Sequence, residues 1–417
     1  MTNTSDTPAQ ATHPLTILIV GDTFTPDVNG AAKFTEKLAS GMAGRGHDVH
    51  VLVPAGSKRH GTWTERYDGQ EITAHRARSY RWYPHDWLRF VPPWRTFAVA
   101  RRTLSEVQPD VLHFQSVVIL GRGATVEANK RGIRIIGTNH LMLENIMDHT
   151  LLPKFLYPAV ARVWWGEVRR SFSLATALTT PTRRAASFLE KNAGVDHVLA
   201  ISCGLNVKDY TPDFADGDTY RIAFVGRVTG EKHLDVLLKA VKRLPTDFDK
   251  PVHVDIVGGG DQKQNLIRMA EQLGLSDRVH FHGYLSDEEL RQTLTDATVF
   301  AMPSIAELQS IATMEAMASG LPVVAADAMA LPHLVHDGEN GYLFKPGDPD
   351  DLAQKLEKML RLPAEERFAL GKRGLEMVQM HDIERTLDLF ERLYRGEDAA
   401  SVALDSVNEQ DHSLDEA

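Results

Sequence analysis

Residues 303–320 read PSIAELQSIATMEAMASG. The apolar run Thr298–Met302 leads in and predicts a buried strand. Pro303 and Ser304 interrupt it, as a strand end does. From Leu308 the apolar positions Ile311, Met314, Met317 and Ala318 follow a helical period, and Gly320 and Pro322 stop the helix. Glu307 falls in the turn and Glu315 inside the helix. Eight residues make a little over two turns at about 3.6 residues per turn, so the two carboxylates are expected on roughly one side, at different heights. Between them, first-turn N–H groups without intrahelical acceptors offer an anion site. Hydroxyl acceptors at two heights with phosphate donors between them match the layout of a sugar nucleotide. The spacing fits an ordinary solvated face with two carboxylates equally well.

The same strand–loop–helix rhythm runs through both halves. LTILIVG, residues 15–21, reads as a first strand buried on both faces. The loop DTFTPDVNG follows, and a helix is expected over Ala31–Met42. Further strands are expected at Asp48–Val53, Val111–Phe114, Ile133–Thr138 and Ala177–Thr180. The pattern restarts at RIAFVGR from Arg221, with strands near Val252–Val257, Val279–His282, Val299–Met302 and Val323–Ala326. Such alternation predicts α/β architecture with two parallel sheets. The expected domains are residues 14–205 and 206–382. An amphipathic last helix covers 383–395, and an acidic segment at 396–417, poor in large apolar groups, is expected to be disordered.

Composition narrows the function classes. A net charge of −10 argues against bulk nucleic-acid binding. The single Cys203 excludes an internal disulfide and fits a reducing compartment. Residues 1–13 carry no basic residue and no apolar core, so no signal peptide is expected there, and no run approaches the roughly 20 apolar residues of a membrane span. The first loop lacks G-x-G-x-x-G, and no metal motif, serine elbow or P-loop is present. Arg227 and Lys232 follow the first strand of the second half, where ligands sit in open α/β sheets and two cations can neutralise a diphosphate. They are also compatible with surface charges, one of them paired with Glu231. His140 ends the strand IIGTNH, and a lone histidine there is most often structural.

Residues 303–320 resemble the E-x7-E element of the retaining glycosyltransferases of family 4, whose usual form is E-S-F-G-x4-E-A-M-A-x-G. Glu307, Glu315, Ala316, Met317, Ala318 and Gly320 are kept; Gln309 and Ser310 stand where the family often has Phe-Gly. VGRVTGEKH is similar to the family's G-R-x-x-x-E-K-G, with His233 for the last glycine, and Asn29-Gly30 to the end of its P-x-x-G-G loop. The resemblance covers about residues 15–395. It implies a GT-B fold, two Rossmann-like domains facing across a cleft, with the first on the acceptor side and the final helix returning to it. It implies transfer of mannose or glucose, with retention, from a GDP- or UDP-linked sugar. It places His140, Arg227, Lys232 and Glu307 in catalysis, and Gly30, Gly258, Gly260, Leu285, Ser310, Ile311 and Glu315 on the donor. No cofactor and no metal are expected, because the two cations can balance the diphosphate.

Arginines 76, 78, 81, 89, 95, 101 and 102 are interleaved with Tyr80, Trp82, Tyr83, Trp87, Phe90, Trp94 and Phe97. Phe155–Phe172 adds Trp164 and Trp165. This favours an anionic membrane surface and hence a glycerolipid or glycolipid acceptor, with the enzyme peripheral on the cytoplasmic face of the cell membrane. The alternatives are transfer to a soluble saccharide or small molecule, a nucleotide-sugar epimerase of the same fold, and a non-catalytic sugar-nucleotide-binding protein.

Overall fold

The structure, a computed structural model, describes residues 13–27, 29–82, 85–140 and 157–406, with backbone alone at 82 and 85–88. Residues 1–12, where no signal peptide is expected, part of the aromatic segments (Tyr83, Phe155 and the side chains of Trp82 and Trp87) and residues 407–417 of the expected tail fall outside what is described.

Two sheets organise the chain. The first has eight strands, ordered β10-β9-β8-β7-β1-β2-β4-β3. They are β1 (Thr16–Val20), β2 (Asp48–Pro54), β3 (Gly61–Tyr67), β4 (Gln70–Ala77), β7 (Val111–Phe114), β8 (Arg134–Thr138), β9 (Ala177–Thr180) and β10 (Leu199–Ala200). β1 lies parallel to β2 and β7, and β2 to β4, while β3 runs antiparallel to β4. A separate two-stranded ribbon joins β5 (Tyr80–Trp82) and β6 (His85–Phe90). The second sheet is parallel, ordered β13-β12-β11-β14-β15-β16. Its strands are β11 (Tyr220–Val225), β12 (Val252–Val257), β13 (Val279–Gly283), β14 (Val299–Met302), β15 (Val323–Ala326) and β16 (Gly341–Phe344). The central strands are apolar runs because helices cover both faces of a parallel sheet. Ile17, Leu18, Ile19 and Val20 are fully buried, as are Val299, Phe300 and Ala301.

The β3–β4 hairpin has no counterpart among the expected strands. Its turn is Asp68-Gly69, both at positive φ (45° and 79°), the conformation that a two-residue hairpin turn demands. Contacts divide the chain into two compact units, one of residues 1–27, 35–136 and 174–176, the other of 28–34, 137–173 and 177–417.

The tail departs from expectation. Residues Ala399–Asp405 form a helix whose N-cap, Asp398, accepts from the Ala400 N–H. Val402 is fully buried, and Asp405 and Glu397 both pair with Arg392 of the preceding helix, Ile383–Arg395. One buried valine and a charge-paired rim are enough to order a short segment that its acidic composition marked as solvated.

Candidate active site

Every residue singled out for the site lies in the second unit. The helix that begins the E-x7-E comparison starts at Ile311, three residues later than the periodicity suggests. Ser310 sits at φ 73°, a left-handed conformation that breaks the helical register. The eight-residue spacing is therefore not two helical turns: Glu315 stands on the helix Ile311–Ala318, and Glu307 on a loop.

That loop is tied down along its length. The Ile305 N–H and the Ser304 hydroxyl both donate to the Glu231 carbonyl, at 3.2 and 3.3 Å. The Ala330 N–H donates to the Glu307 carbonyl at 3.2 Å, and the Thr182 hydroxyl to the Leu308 carbonyl at 2.9 Å. Gln309 accepts from the Cys203 N–H at 2.8 Å and donates to the Ser202 hydroxyl at 2.7 Å. Ser202 in turn meets His381 and, through its carbonyl, Thr386. Gln309, an exception to the family pattern, thus pins the loop through buried hydrogen bonds.

The loop presents Glu307 to Lys232, and the two form an ion pair with both side chains largely buried. Arg227 pairs with Glu231 at 3.1 Å, and the Thr229 hydroxyl holds the same carboxylate oxygen at 2.7 Å. Both cations thus have a carboxylate beside them. His233, at φ 48°, occupies the left-handed turn for which the family uses glycine.

Glu315 is buried, with Lys33 3.6 Å from its Oε1. Burial pushes the Tyr210 hydroxyl well above its ordinary pKa, and the charge and hydrogen bond of Glu315 push it further, so the phenol stays protonated against this carboxylate. Gly30 opens the helix Gly30–Gly44 beside Ile311; a methyl group there would sit 3.7 Å from the Ile311 Cδ1. Asn29, in place of the family's glycine, accepts from the Ala32 N–H at 2.9 Å and so acts as a cap. At the first turn of the helix Ile311–Ala318, the N–H groups of Ile311 and Ala312 have no carbonyl four residues back in the helix.

His140 is half-buried with its ring centroid 4.8 Å from that of Phe34. Burial lowers its pKa to about 3, so the imidazole is neutral near pH 7. Gly258 and Gly260 follow β12. A Cβ at Gly258 would run into the Gly226 carbonyl and one at Gly260 into the Val228 carbonyl, so these glycines let two strand-end loops touch. Leu285 is half-buried beside Tyr284, which is 63% exposed and covers Gly259. Lys33 and Tyr210 are additions that sequence reasoning missed; each is an isolated residue whose partner is distant in the chain. Among the described residues, no cluster of three or more His, Cys, Asp or Glu could hold a metal ion.

Two carboxylates, two cations and a helix N-terminus therefore gather around the ends of β11 and β14. Residues 28–209 match the family described as Glycosyltransferase Family 4, and residues 212–377 that described as Glycosyl transferases group 1. The chain belongs to glycosyltransferase family 4. This family 4 chain is 30% identical over 296 residues to the MMP alpha-(1->4)-mannosyltransferase of Mycolicibacterium hassiacum, covering 69% of the chain and 71% of that protein. It is 26% identical to the D-inositol 3-phosphate glycosyltransferase of a Nocardioides species, over 88% of the chain and 86% of the relative. With the Arabidopsis thaliana sulfoquinovosyl transferase SQD2 it shares 26% identity over 75% of its own length, and the match spans 62% of the relative, under two thirds. Among solved structures, sucrose-phosphate synthase from Thermosynechococcus elongatus superposes with a TM-score of 0.73 at 18% identity, covering 91% of this chain and 98% of that one. Anabaena HepE, solved in complex with UDP, gives 0.70 at 18% identity, with 91% and 100% covered. The fold is GT-B.

Proposed function

We propose that this chain is a retaining hexosyltransferase that moves mannose or glucose from a nucleoside diphosphate sugar to a glycerolipid or glycolipid acceptor. The observation that carries the transfer reading is the Glu307–Lys232 pair, held beside Arg227 and the open first turn at Ile311. A diphosphate entering there meets two cations and backbone N–H groups, which lower the cost of developing negative charge on the leaving group. Glu307, released from Lys232 as the lysine turns to phosphate, accepts hydrogen bonds from sugar hydroxyls. Glu315, with Lys33 and Tyr210 against it, accepts from the ribose. His140, neutral, donates to or accepts from a sugar hydroxyl without adding charge. The bond from the sugar carbon to the phosphate oxygen breaks and the bond to the acceptor oxygen forms on the same face. The acceptor proton passes to the departing phosphate. No protein nucleophile is needed, and Arg227 and Lys232 take the place of a metal.

The relatives support this reading by name, being mannosyl, sulfoquinovosyl and inositol-phosphate glycosyltransferases, and HepE by its complexes with UDP and UDP-glucose. A lipid acceptor is supported by Trp94, 79% exposed beside exposed Arg95, a pair suited to a headgroup layer. The wider basic segment is weaker support than its sequence suggests. Arg76 is buried in a clasp with Glu65, Arg89 is bonded to Ser79, and Arg101 and Arg102 pair with Glu127 and Glu106. Among the described residues no helix is long and apolar enough to cross a membrane. The reading puts the protein on the cytoplasmic face, where its buried Cys203 stays reduced.

The test is turnover of UDP- and GDP-linked glucose and mannose, with lipid and with soluble acceptors, in EDTA. Release of nucleoside diphosphate coupled to a glycosylated lipid is expected. Isomerised sugar nucleotide without release would replace transfer with epimerisation. Glycosylation of soluble acceptors alone would remove the lipid. Loss of turnover in EDTA, restored by a divalent ion, would show a metal role.

A further inference from the structure

In the first unit, the loops beyond the carboxyl ends of β1, β2 and β4 adjoin one another. The Ala55 N–H donates to the Ala77 carbonyl at 2.8 Å, and the Ser79 hydroxyl to the Ala55 carbonyl at 2.5 Å. Arg89 donates to Ser79 through Nε and Nη2, at 2.8 and 3.2 Å. Pro26 packs on Gly56, where an added methyl would sit 3.4 Å from its Cδ. Strands end there together because β2 and β4 are parallel with Pro54 opposite Ala77, while β3 begins at Gly61 opposite Arg76.

These loops carry Lys58, Arg59 and Arg78, all exposed. The Arg59 guanidinium lies 4.8 Å from the Trp63 ring centroid and that of Arg78 5.6 Å from Tyr80. Each guanidinium is within cation–π range of a ring while its residue stays exposed to solvent. Among the described residues, none of the three makes an ion pair, whereas Arg66, Arg76, Arg101 and Arg102 of the same unit each have a carboxylate. Two acids of the loop after β1 are engaged by hydrogen bonds. Asp22 accepts from Ser116, Ile119 and Leu120. Asp27 accepts from the Thr23 hydroxyl and the Phe24 N–H. Among the described residues, a chain with ten excess negative charges thus leaves these three cations outside any ion pair at one strand end, the end where parallel sheets bind ligands.

We infer that Lys58, Arg59 and Arg78, backed by Arg89, form a binding site for a phosphate ester, the anionic group of the acceptor. The site rests on the transfer reading only for the word acceptor; phosphate binding stands by itself. Arginine edges match phosphate oxygens two at a time, and the aromatic rings beneath hold them in place. The chemistry is the same whether the phosphate belongs to a soluble ester or to a lipid headgroup.

The experiment titrates the full chain with glycerol 3-phosphate against glycerol, and with vesicles containing phosphatidic acid against vesicles of phosphatidylcholine alone. The wild type is compared with a variant carrying Lys58→Ser, Arg59→Ser and Arg78→Ser, whose unfolding midpoint is expected to match because all three residues are exposed. At least one phosphorylated probe is expected to bind ten times more tightly than its uncharged or zwitterionic counterpart. The variant should lose that difference, and added salt should weaken it. Selective binding of the soluble ester identifies a soluble acceptor, and selective binding of the phosphatidate vesicles identifies a headgroup. Equal binding of phosphorylated and unphosphorylated probes, no binding of either, or full selectivity in the variant overturns the site. Sugar-nucleotide turnover is assayed separately, so its failure removes the transfer reading without deciding this site.

Discussion

His233 carries a side chain at φ 48°, where a β-carbon crowds the following carbonyl and glycine does not. His233→Gly is therefore expected to stabilise the chain by about 1 kcal/mol, read as a higher urea midpoint. An unchanged or lower midpoint would mean that the imidazole makes a compensating contact. Gly258 is the reverse case. Its φ of 127° and the Gly226 carbonyl against it leave no room for a methyl, so Gly258→Ala is expected to cost more than about 2 kcal/mol. A neutral result there would show that the two loops part easily. Glu307 combines chemistry with an ion pair. Glu307→Gln keeps a hydrogen-bond partner for Lys232 and should lower turnover at least tenfold, about 1.4 kcal/mol of barrier, with a small shift in unfolding. Wild-type turnover in that variant would remove Glu307 from the reaction.

The loop 303–310 and the helix behind it act as one element, and Gln309 is its anchor. In Gln309→Ala the Cys203 N–H and the Ser202 hydroxyl lose a buried partner, which costs about 1–3 kcal/mol. Turnover should fall as well, since Leu308 and Glu307 are next along the chain. Full stability in this variant would mean that water replaces the amide. At this scale the sequence was legible where one physical rule dominates. Two-sided burial makes β1, β11 and β14 continuous apolar runs, and all were readable as strands. The β3–β4 hairpin is also carried in the sequence, by the Asp68-Gly69 turn and its alternating flanks. The helix start at Ile311 was not legible, because apolar spacing carries no sign of a left-handed Ser310. Nor were Lys33 and Tyr210 beside Glu315, since only folding brings them to it. The order of segment 399–405 is hidden for a similar reason: Val402 finds a buried site that composition does not record. Val402→Ser should accordingly lower the unfolding midpoint, whereas a solvated tail would tolerate it.

Across the whole molecule, histidines held neutral by burial link stability to pH. His140 and His381 are pushed down to about 3 and His75 to about 4. An unfolded histidine titrates near 6.5, so below that pH the unfolded chain binds more protons than the folded one. Stability should be full above pH 6.5 and fall as pH drops from there toward 3–4, with a steadily lower urea midpoint. A midpoint constant from pH 7 to 4.5 would show that these rings gain protons without unfolding the chain. The central claim is that a family 4 chain with Glu307, Lys232, Arg227 and Glu315 in this arrangement transfers a sugar on one face of its ring. NMR of the product formed from an α-linked nucleoside diphosphate hexose reads that face directly through the one-bond carbon–proton coupling at the anomeric carbon, for glucose and mannose alike. The account predicts an α-linked product appearing together with free nucleoside diphosphate. A β-linked product, or an isomerised donor with no nucleoside diphosphate released, would contradict it.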